Sequence, residues 1–324
     1  MNKKQQKKDS FRGISESFAQ RVIEHPVFKF FYKKHLDDVI VGIRDNYINL
    51  YHCCNSIAKI TGSKKKISAT VSDYYQGNVK HTRISPIPIE GNLDDLFNLY
   101  SAQSYARGKE EKQSQERLFI DNNNNPHSNW FCVDVEYTKS FAAKKDAEDW
   151  RFDIIAISKS LPHRVALIEL KYGAGAIGGE SGVQKHIHDY YQFHKNGSFK
   201  VLLPELISII KSLDLLNVEL PNEFKGTLQE KDFADVPEYY FITLNNNPEG
   251  KSKKTPKMTM SGYLFMDHKW GCTRISSTTK RNGYYAQMNG DTSFKPFFKF
   301  SEATLPDIGI DDIIDSPDYD NAIY

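Results

Sequence analysis

The sequence predicts a mixed α/β fold, and three observations carry that prediction. RFDIIAIS (151–158) and RVALIELKY (164–172) are of strand length and dense in Ile, Leu and Val. WFCVDVEY (130–137), just ahead of them, alternates with the period of two that a half-buried strand requires. Stretches with helical spacing flank this group at 93–119 and 201–216. The 324 residues, with 20 Phe and 18 Tyr, hold enough apolar surface for a packed core and exclude a chain disordered throughout.

The elements follow in order. Residues 1–12 read as a disordered basic start. VIVGIRDNYINLYHCCNSIAKI (39–60) reads as two strands around Arg44-Asp45-Asn46, and SATVSDYY (68–75) as a third. One helix is expected over 93–119, with Leu93, Leu96, Leu99, Tyr100, Ala106 and Leu118 on one side; DNNNNPHSN (121–129) ends it. In WFCVDVEY, Phe131, Val133, Val135 and Tyr137 are expected on one face, with Asp134 and Glu136 on the other. Pro162-His163 separates the next two strands. The glycine-rich loop GAGAIGGESG (173–182) leads into a helix whose start carries the capping-box pattern Ser181-x-x-Gln184. A helix at 201–216 and strands at 238–245 and 262–271 complete the set. There is no linker, so the expectation is one elaborated domain over 13–300 followed by an acidic tail, 301–324.

Charge is nearly balanced overall, 43 − 41 = +2, but unevenly spread. Residues 251–281 hold eight Lys+Arg against Asp267 alone, whereas the last 24 residues hold seven acids and no Lys or Arg. The basic runs SKKK (63–66) and KSKKTPK (251–257), with Arg274, Lys280 and Arg281, suit a polyanionic partner, or else are ordinary wet loops. The tail reads as solvated or autoinhibitory. No run approaches the ~20 apolar residues of a membrane span, and no apolar segment follows the basic N-terminus as a signal peptide would need. Cys53, Cys54, Cys132 and Cys272 include no C-x-x-C pair, so neither a zinc ribbon nor a disulfide framework is indicated, and a cytoplasmic location is expected.

The chemistry concentrates on two strands. Asp153 opens one, and Glu169-Leu170-Lys171 closes the next. Period-two alternation puts Glu169 and Lys171 on one face. If the strands pair as a hairpin, Asp153 comes beside Glu169. Two carboxylates and the Leu170 carbonyl are hard oxygen donors of the kind Mg²⁺ or Mn²⁺ takes. Lys171 would stand beside the metal-bound water, where it can orient or help deprotonate it and stabilise phosphate charge. Charges inside so apolar a strand need partners or a metal.

FDIIAI followed by LIELKYG resembles the PD-(D/E)XK nuclease superfamily, with its restriction-endonuclease-like core of helix, three-strand meander, helix and strand. The resemblance covers 93–245, with N-terminal β-rich and C-terminal extensions outside it, and Phe152 stands where the motif has proline. It implies that Asp153 and Glu169 bind Mg²⁺ and that Lys171 assists hydrolysis of a phosphodiester in nucleic acid, here expected to be DNA. Many members add a Glu from the preceding helix: Glu116 is the candidate, with Glu110, Glu111 and the strand residue Glu136 as rivals. They also place polar residues on the helix after the meander. In GVQKHIHDYYQFH (182–194), Val183, Ile187, Tyr190, Tyr191 and His194 form the inward stripe, His186 and Tyr190 an i,i+4 pair at its edge, and Gln184 and Lys185 lie in the first turn. His186 or Gln184 is expected at the scissile phosphate. Many such nucleases pair as homodimers to cut both strands.

Three other readings compete. GAGAIG (173–178) matches the G-x-G-x-x-G dinucleotide fingerprint of an oxidoreductase, but the helix starts after the glycines and no acid ends a strand about 20 residues on. A non-catalytic nucleic-acid-binding or scaffold protein is a second reading. A purely structural role is the third, with Asp153 capping a turn and Glu169 paired to Lys171 or Arg151.

Overall fold

The computed structural model describes residues 11–62, 66–77, 83–139, 150–173, 183–245, 291–301, 308–315 and 319–320. The side chains of 183, 184, 300, 319 and 320 are not among them. The chain is a mixed α/β protein with two sheets. The first is an antiparallel meander of β1 (Ile40–Ile43), β2 (Tyr47–His52), β3 (Asn55–Gly62), β4 (Ile67–Ser72) and β5 (Ile84–Pro86), in sequential order. It follows helix α1 (Glu16–Glu24), whose first turn Ser15 caps by accepting from the Phe18 amide at 3.3 Å.

The span 39–60 therefore holds three strands, not the two expected. The extra break is the tight turn Cys53-Cys54, both residues left-handed at φ 47° and 50°. It lacks the Asn-Gly or Gly signal that marks two-residue hairpins. Residues 73–75, expected within a strand, belong instead to a 3₁₀ turn, Asp73–Gln76.

Helices α2 (Leu93–Arg107) and α3 (Glu110–Asn124) occupy the span read as one helix. The break falls at Gly108, extended at φ −67°, ψ 119°, where a Cβ would stand 3.0 Å from Cys53 Cβ and 3.0 Å from the Ser104 carbonyl. A side chain here would make the β2–β3 turn or the end of α2 give by a few tenths of an ångström, so glycine suits this close approach. Helix α3 runs on into the asparagine cluster, where Asn122 and Asn123 donate to the carbonyls of Trp130 and Cys132 at 3.0 and 2.9 Å and fasten the helix end to the next strand.

The second sheet has the strand order β11-β10-β9-β8-β7-β6. Strands β6 (Trp130–Lys139), β7 (Trp150–Ser158) and β8 (Val165–Tyr172) form an antiparallel meander. Helices α4 (Val183–Lys195) and α5 (Phe199–Leu215) then cross over to β9 (Glu238–Leu244), which pairs parallel with β8. A parallel neighbour requires such a crossover. Strand β10 (Pro296–Phe300) adds parallel to β9, and β11 (Tyr319–Asp320) antiparallel to β10.

One apolar cluster joins Val41, Ile43 and Ile48 of the first sheet to Phe131 and Leu167 of the second, with Ile187 and Tyr190 of α4 and Leu206 and Ile209 of α5. A second lies on the other face of the second sheet, where Cys132, Ile154, Ile168 and Ile242 meet Leu118 and Phe119 of α3. Strand β6 departs from the expected alternation. A bulge between Cys132 and Asp134, and left-handed backbone at Glu136 (φ 51°), put Val135 in the second cluster while Phe131, Val133 and Tyr137 stay in the first. Asp134 is fully buried between two guanidiniums, Arg12 Nη1 at 2.7 Å and Arg44 Nη1 at 2.8 Å. Arg12 is thus buried structure, contrary to its expected place in a disordered start.

The acidic tail also holds structure. Helix α6 (Ile310–Asp315) buries Ile310, Ile313 and Ile314 in the second cluster, and Asp311 accepts from the Asn129 amide at 3.0 Å. The strand expected at 262–271, the glycine-rich loop after Gly173 with Ser181, the runs 63–65 and 251–257, and Arg274, Lys280 and Arg281 lie outside the described residues. Among the described residues no helix is long and apolar enough to cross a membrane.

Candidate active site

The ladder between β7 and β8 ends at Ile154↔Ile168. One step further stand Asp153 and Glu169, beyond the last paired residues and at the same end of the sheet. The Leu170 amide, freed from the ladder, donates to Asp153 Oδ2 at 2.8 Å. Glu169 and Lys171 share a face, as period two dictates, and it is the face on which α4 packs. Lys171 Nζ lies 2.6 Å from Glu169 Oε1 and 3.2 Å from the Leu170 carbonyl, which accepts a hydrogen bond from it. All three side chains expected to carry the chemistry are therefore brought together.

Helix α4 supplies the wall. His186 Nε2 stands 3.2 Å from Glu169 Oε1, and the phenol of Tyr190, one turn on, is buried within the field of Glu169 and Asp153. Lys185 pairs with Asp189 at 2.5 Å. His188 turns to Gln192 instead, at 3.2 Å, so the two histidines of His186-x-His188 point apart, as the helical angle requires. Of the expected inward stripe, Ile187, Tyr190 and Tyr191 are buried; Phe193 joins them, while His194 is only partly buried, with Nε2 3.0 Å from Ser293 Oγ. Gln184 lies in the first turn of α4, but its side chain is outside the described residues.

The carboxylate that α3 brings to this group is Glu111. Its Oε1 lies 3.6 Å from Lys171 Nζ. Gln115, one turn on, donates from Nε2 to the Asp153 carbonyl at 2.6 Å. Glu116, the expected candidate, lies elsewhere: its Oε1 and Oε2 accept from the amides of Cys53 and Cys54 at 2.5 and 3.0 Å. Five residues on from Glu111 is about 140° round a helix, so the two cannot serve one site. Glu136 lies close enough for its charge to act on Asp153, and its Oε1 is 3.4 Å from Lys112 Nζ. Gln115 was not anticipated, although its i+4 spacing from Glu111 would have found it.

Electrostatics set the protonation states. Burial, then the charge of Glu169, push Asp153 up to about 8. Burial also raises Glu169, against the opposing pull of Lys171. Burial alone would lower Lys171, but Glu169, Asp153 and Glu111 hold its ammonium well above its ordinary value. Burial and the adjacent Lys171 press His186 down to about 4, so its imidazole is neutral at neutral pH.

The donor set fits a hard divalent cation. Glu169 is buried and Asp153 half-buried, desolvation makes both carboxylates costly to ionise, and a cation held by them would relieve that cost. Mg²⁺ takes one or two carboxylates and keeps its waters, so no third protein ligand is needed. Among the described residues, the group of three His, Cys, Asp or Glu side chains whose ligand atoms converge within 4.8 Å is a different one, His52, Cys53 and Glu116. No protein-family model, no curated protein and no solved structure matches this chain.

Proposed function

We propose that this chain is a Mg²⁺-dependent nuclease acting on DNA, of the restriction-endonuclease-like kind. The observation that supports it most is the meeting of Asp153, Glu169 and Lys171 at one end of a β-meander. The order α3, meander, α4 and parallel β9 is that of the family the motif resembles.

In this reading Asp153 and Glu169 hold the cation, with the Leu170 carbonyl beside them. Bound there, the cation would lower the pKa of a water and offset charge on the phosphoryl oxygens. Its acidic neighbours favour Lys171 as an ammonium, which would orient the attacking water and stabilise anionic charge on the phosphate. Neutral His186, beside Glu169, can accept a hydrogen bond from water or donate one to phosphate. Glu111 holds Lys171 from the α3 side, and Gln115 fixes the strand that carries Asp153.

The closed Glu169–Lys171 pair supports a second reading, a nucleic-acid-binding scaffold whose acidic group is neutralised internally. One experiment separates the two. Mg²⁺ and Mn²⁺ are titrated calorimetrically into wild type and into Asp153→Ala, Glu169→Ala and Lys171→Ala, and each protein is incubated with plasmid, single-stranded DNA and RNA. The nuclease requires metal binding that disappears with Asp153 or Glu169, and DNA cleavage that disappears with all three. DNA binding with neither metal uptake nor cleavage would leave the scaffold.

A further inference from the structure

A second group of ligand-type side chains sits about 140° round α3 from Glu111. A ring nitrogen of His52, Cys53 Sγ and a Glu116 carboxylate oxygen lie within 4.8 Å of one another. His52 ends β2, Cys53 opens the tight turn to β3, and Glu116 comes from α3. We propose that these three side chains form a binding site for a borderline-soft divalent cation of the Zn²⁺ class, distinct from the oxygen-donor site at Asp153 and Glu169.

The donor chemistry selects the ion. Imidazole, thiolate and carboxylate are the three ligand types Zn²⁺ takes, and three protein ligands leave one position for water or another group. Mg²⁺ does not take thiolate or imidazole in preference to oxygen. The charges also balance: thiolate and carboxylate neutralise a divalent cation, so a buried complex carries no net charge.

The surroundings leave the ligands available. His52 Nδ1 is buried with no hydrogen-bond partner among the described residues, a state that costs free energy unless something binds it. Glu116 uses its two oxygens to hold the Cys53 and Cys54 amides, but an ionised carboxylate has about four acceptor positions, so one oxygen can serve a metal as well. The left-handed Cys53 and Cys54 both donate their amides to Glu116, which ties the turn to α3 and sets the thiol beside Glu116 before any ion arrives. Asp38, exposed, has its charge felt by all three groups and stands on the solvent side, where it can attract a cation or complete its shell. His52 is only partly buried, which gives a route in. When the ion binds, the Cys53 proton passes to solvent as the S–metal bond forms.

The test uses the full chain with Cys272→Ser, kept reduced, and Co²⁺ as the probe. Co²⁺ should give a thiolate-to-cobalt charge-transfer band, and Zn²⁺ should abolish it. Cys53→Ser should abolish that band. His52→Ala should weaken Zn²⁺ binding at least ten-fold. Asp153→Asn with Glu169→Gln should change neither. Absence of the band, or a band that survives Cys53→Ser, would overturn the proposal. Should Cys53→Ser lack the wild-type circular dichroism, His52→Ala decides: Zn²⁺ affinity within two-fold of wild type would overturn it equally.

Discussion

Glu169 and Lys171, two residues apart on one strand, form an ion pair of 2.6 Å that is almost wholly buried. The pair does not stand alone, because the Asp153 and Glu111 carboxyl groups lie around the same ammonium. Lys171 is therefore the counter-charge for an acidic group as well as a candidate participant in hydrolysis. Removing one member of a buried pair strands the other, and typically costs ~3–5 kcal/mol.

Lys171→Met should accordingly lower stability and abolish cleavage together. The stability loss should grow with pH. Without the ammonium, Glu169 and Asp153 resist ionisation more strongly in the folded state, while in the unfolded chain they ionise near pH 4. The native state then binds more protons than the unfolded one, so stability falls as pH rises. Urea unfolding at pH 5 and pH 8 measures this. Equal losses at the two values would mean that the ion pair is not what Lys171 contributes.

Asp153→Asn isolates the other carboxylate. In wild type its folded pKa is raised to about 8 from an ordinary value of 3.8. Above pH 4 the unfolded chain loses this proton while the folded chain keeps it, so Asp153 draws stability down as pH climbs from about 4 to about 8. The asparagine variant should lack that decline and gain on wild type most at pH 8. Millimolar Mg²⁺ should raise the thermal midpoint of wild type at pH 8 and leave that of the variant unchanged. A parallel pH dependence of the two proteins would show Asp153 ionised in the metal-free state.

Asp134 is the joint between the N-terminal sheet and β6. It receives Arg12 and Arg44, and Arg44 also donates to Tyr51 Oη at 2.7 Å and to the Val135 carbonyl at 2.9 Å. Asp134→Ala leaves two buried guanidiniums without their counter-charge, for a loss on the order of 3–5 kcal/mol in chemical unfolding. A loss below about 1 kcal/mol would place it among exposed pairs instead.

The strands of the meander were legible because their apolar runs are long and Pro162-His163 marks a boundary. Asp153, Glu169 and Lys171 were legible because period two leaves no choice of face once the hairpin is granted. Three features were not. The Cys53-Cys54 turn carries no glycine or asparagine; two consecutive left-handed residues cost roughly 1–2 kcal/mol each, and the compensation arrives from Glu116, 63 residues away from Cys53. The break at Gly108 exists for the same turn, since Cys53 packs against it. The helix phase at 110–124, and with it the choice between Glu111 and Glu116, follows from that break. A local reading that runs the helix straight from 93 cannot recover it. The burial of Arg12 depends on a bulge in β6 that leaves no local mark.

That choice between two glutamates is open to a direct contrast. Glu111 is part-exposed and touches only the edge of the ion-pair group, at 3.6 Å from Lys171. Glu111→Gln should lower the cleavage rate about ten-fold or more while leaving the unfolding midpoint near wild type. Glu116 is buried and holds two amides. Glu116→Gln keeps one acceptor oxygen for the two donors, and a buried amide left unpaired costs ~1–3 kcal/mol. The loss should depend on pH. Burial raises Glu116 to about 7, so between its ordinary 4.5 and about 7 the unfolded chain is ionised while the folded chain keeps its proton. Wild-type stability declines across that window, and Glu116→Gln lacks this decline, so its deficit should be largest at pH 4.5 and shrink toward pH 7. Thermal or urea midpoints at several pH values, beside initial cleavage rates on plasmid, separate the two roles. If Glu116→Gln, folded by circular dichroism, lost cleavage as completely as Glu169→Gln while Glu111→Gln kept it, the acidic group would have to be redrawn around Glu116.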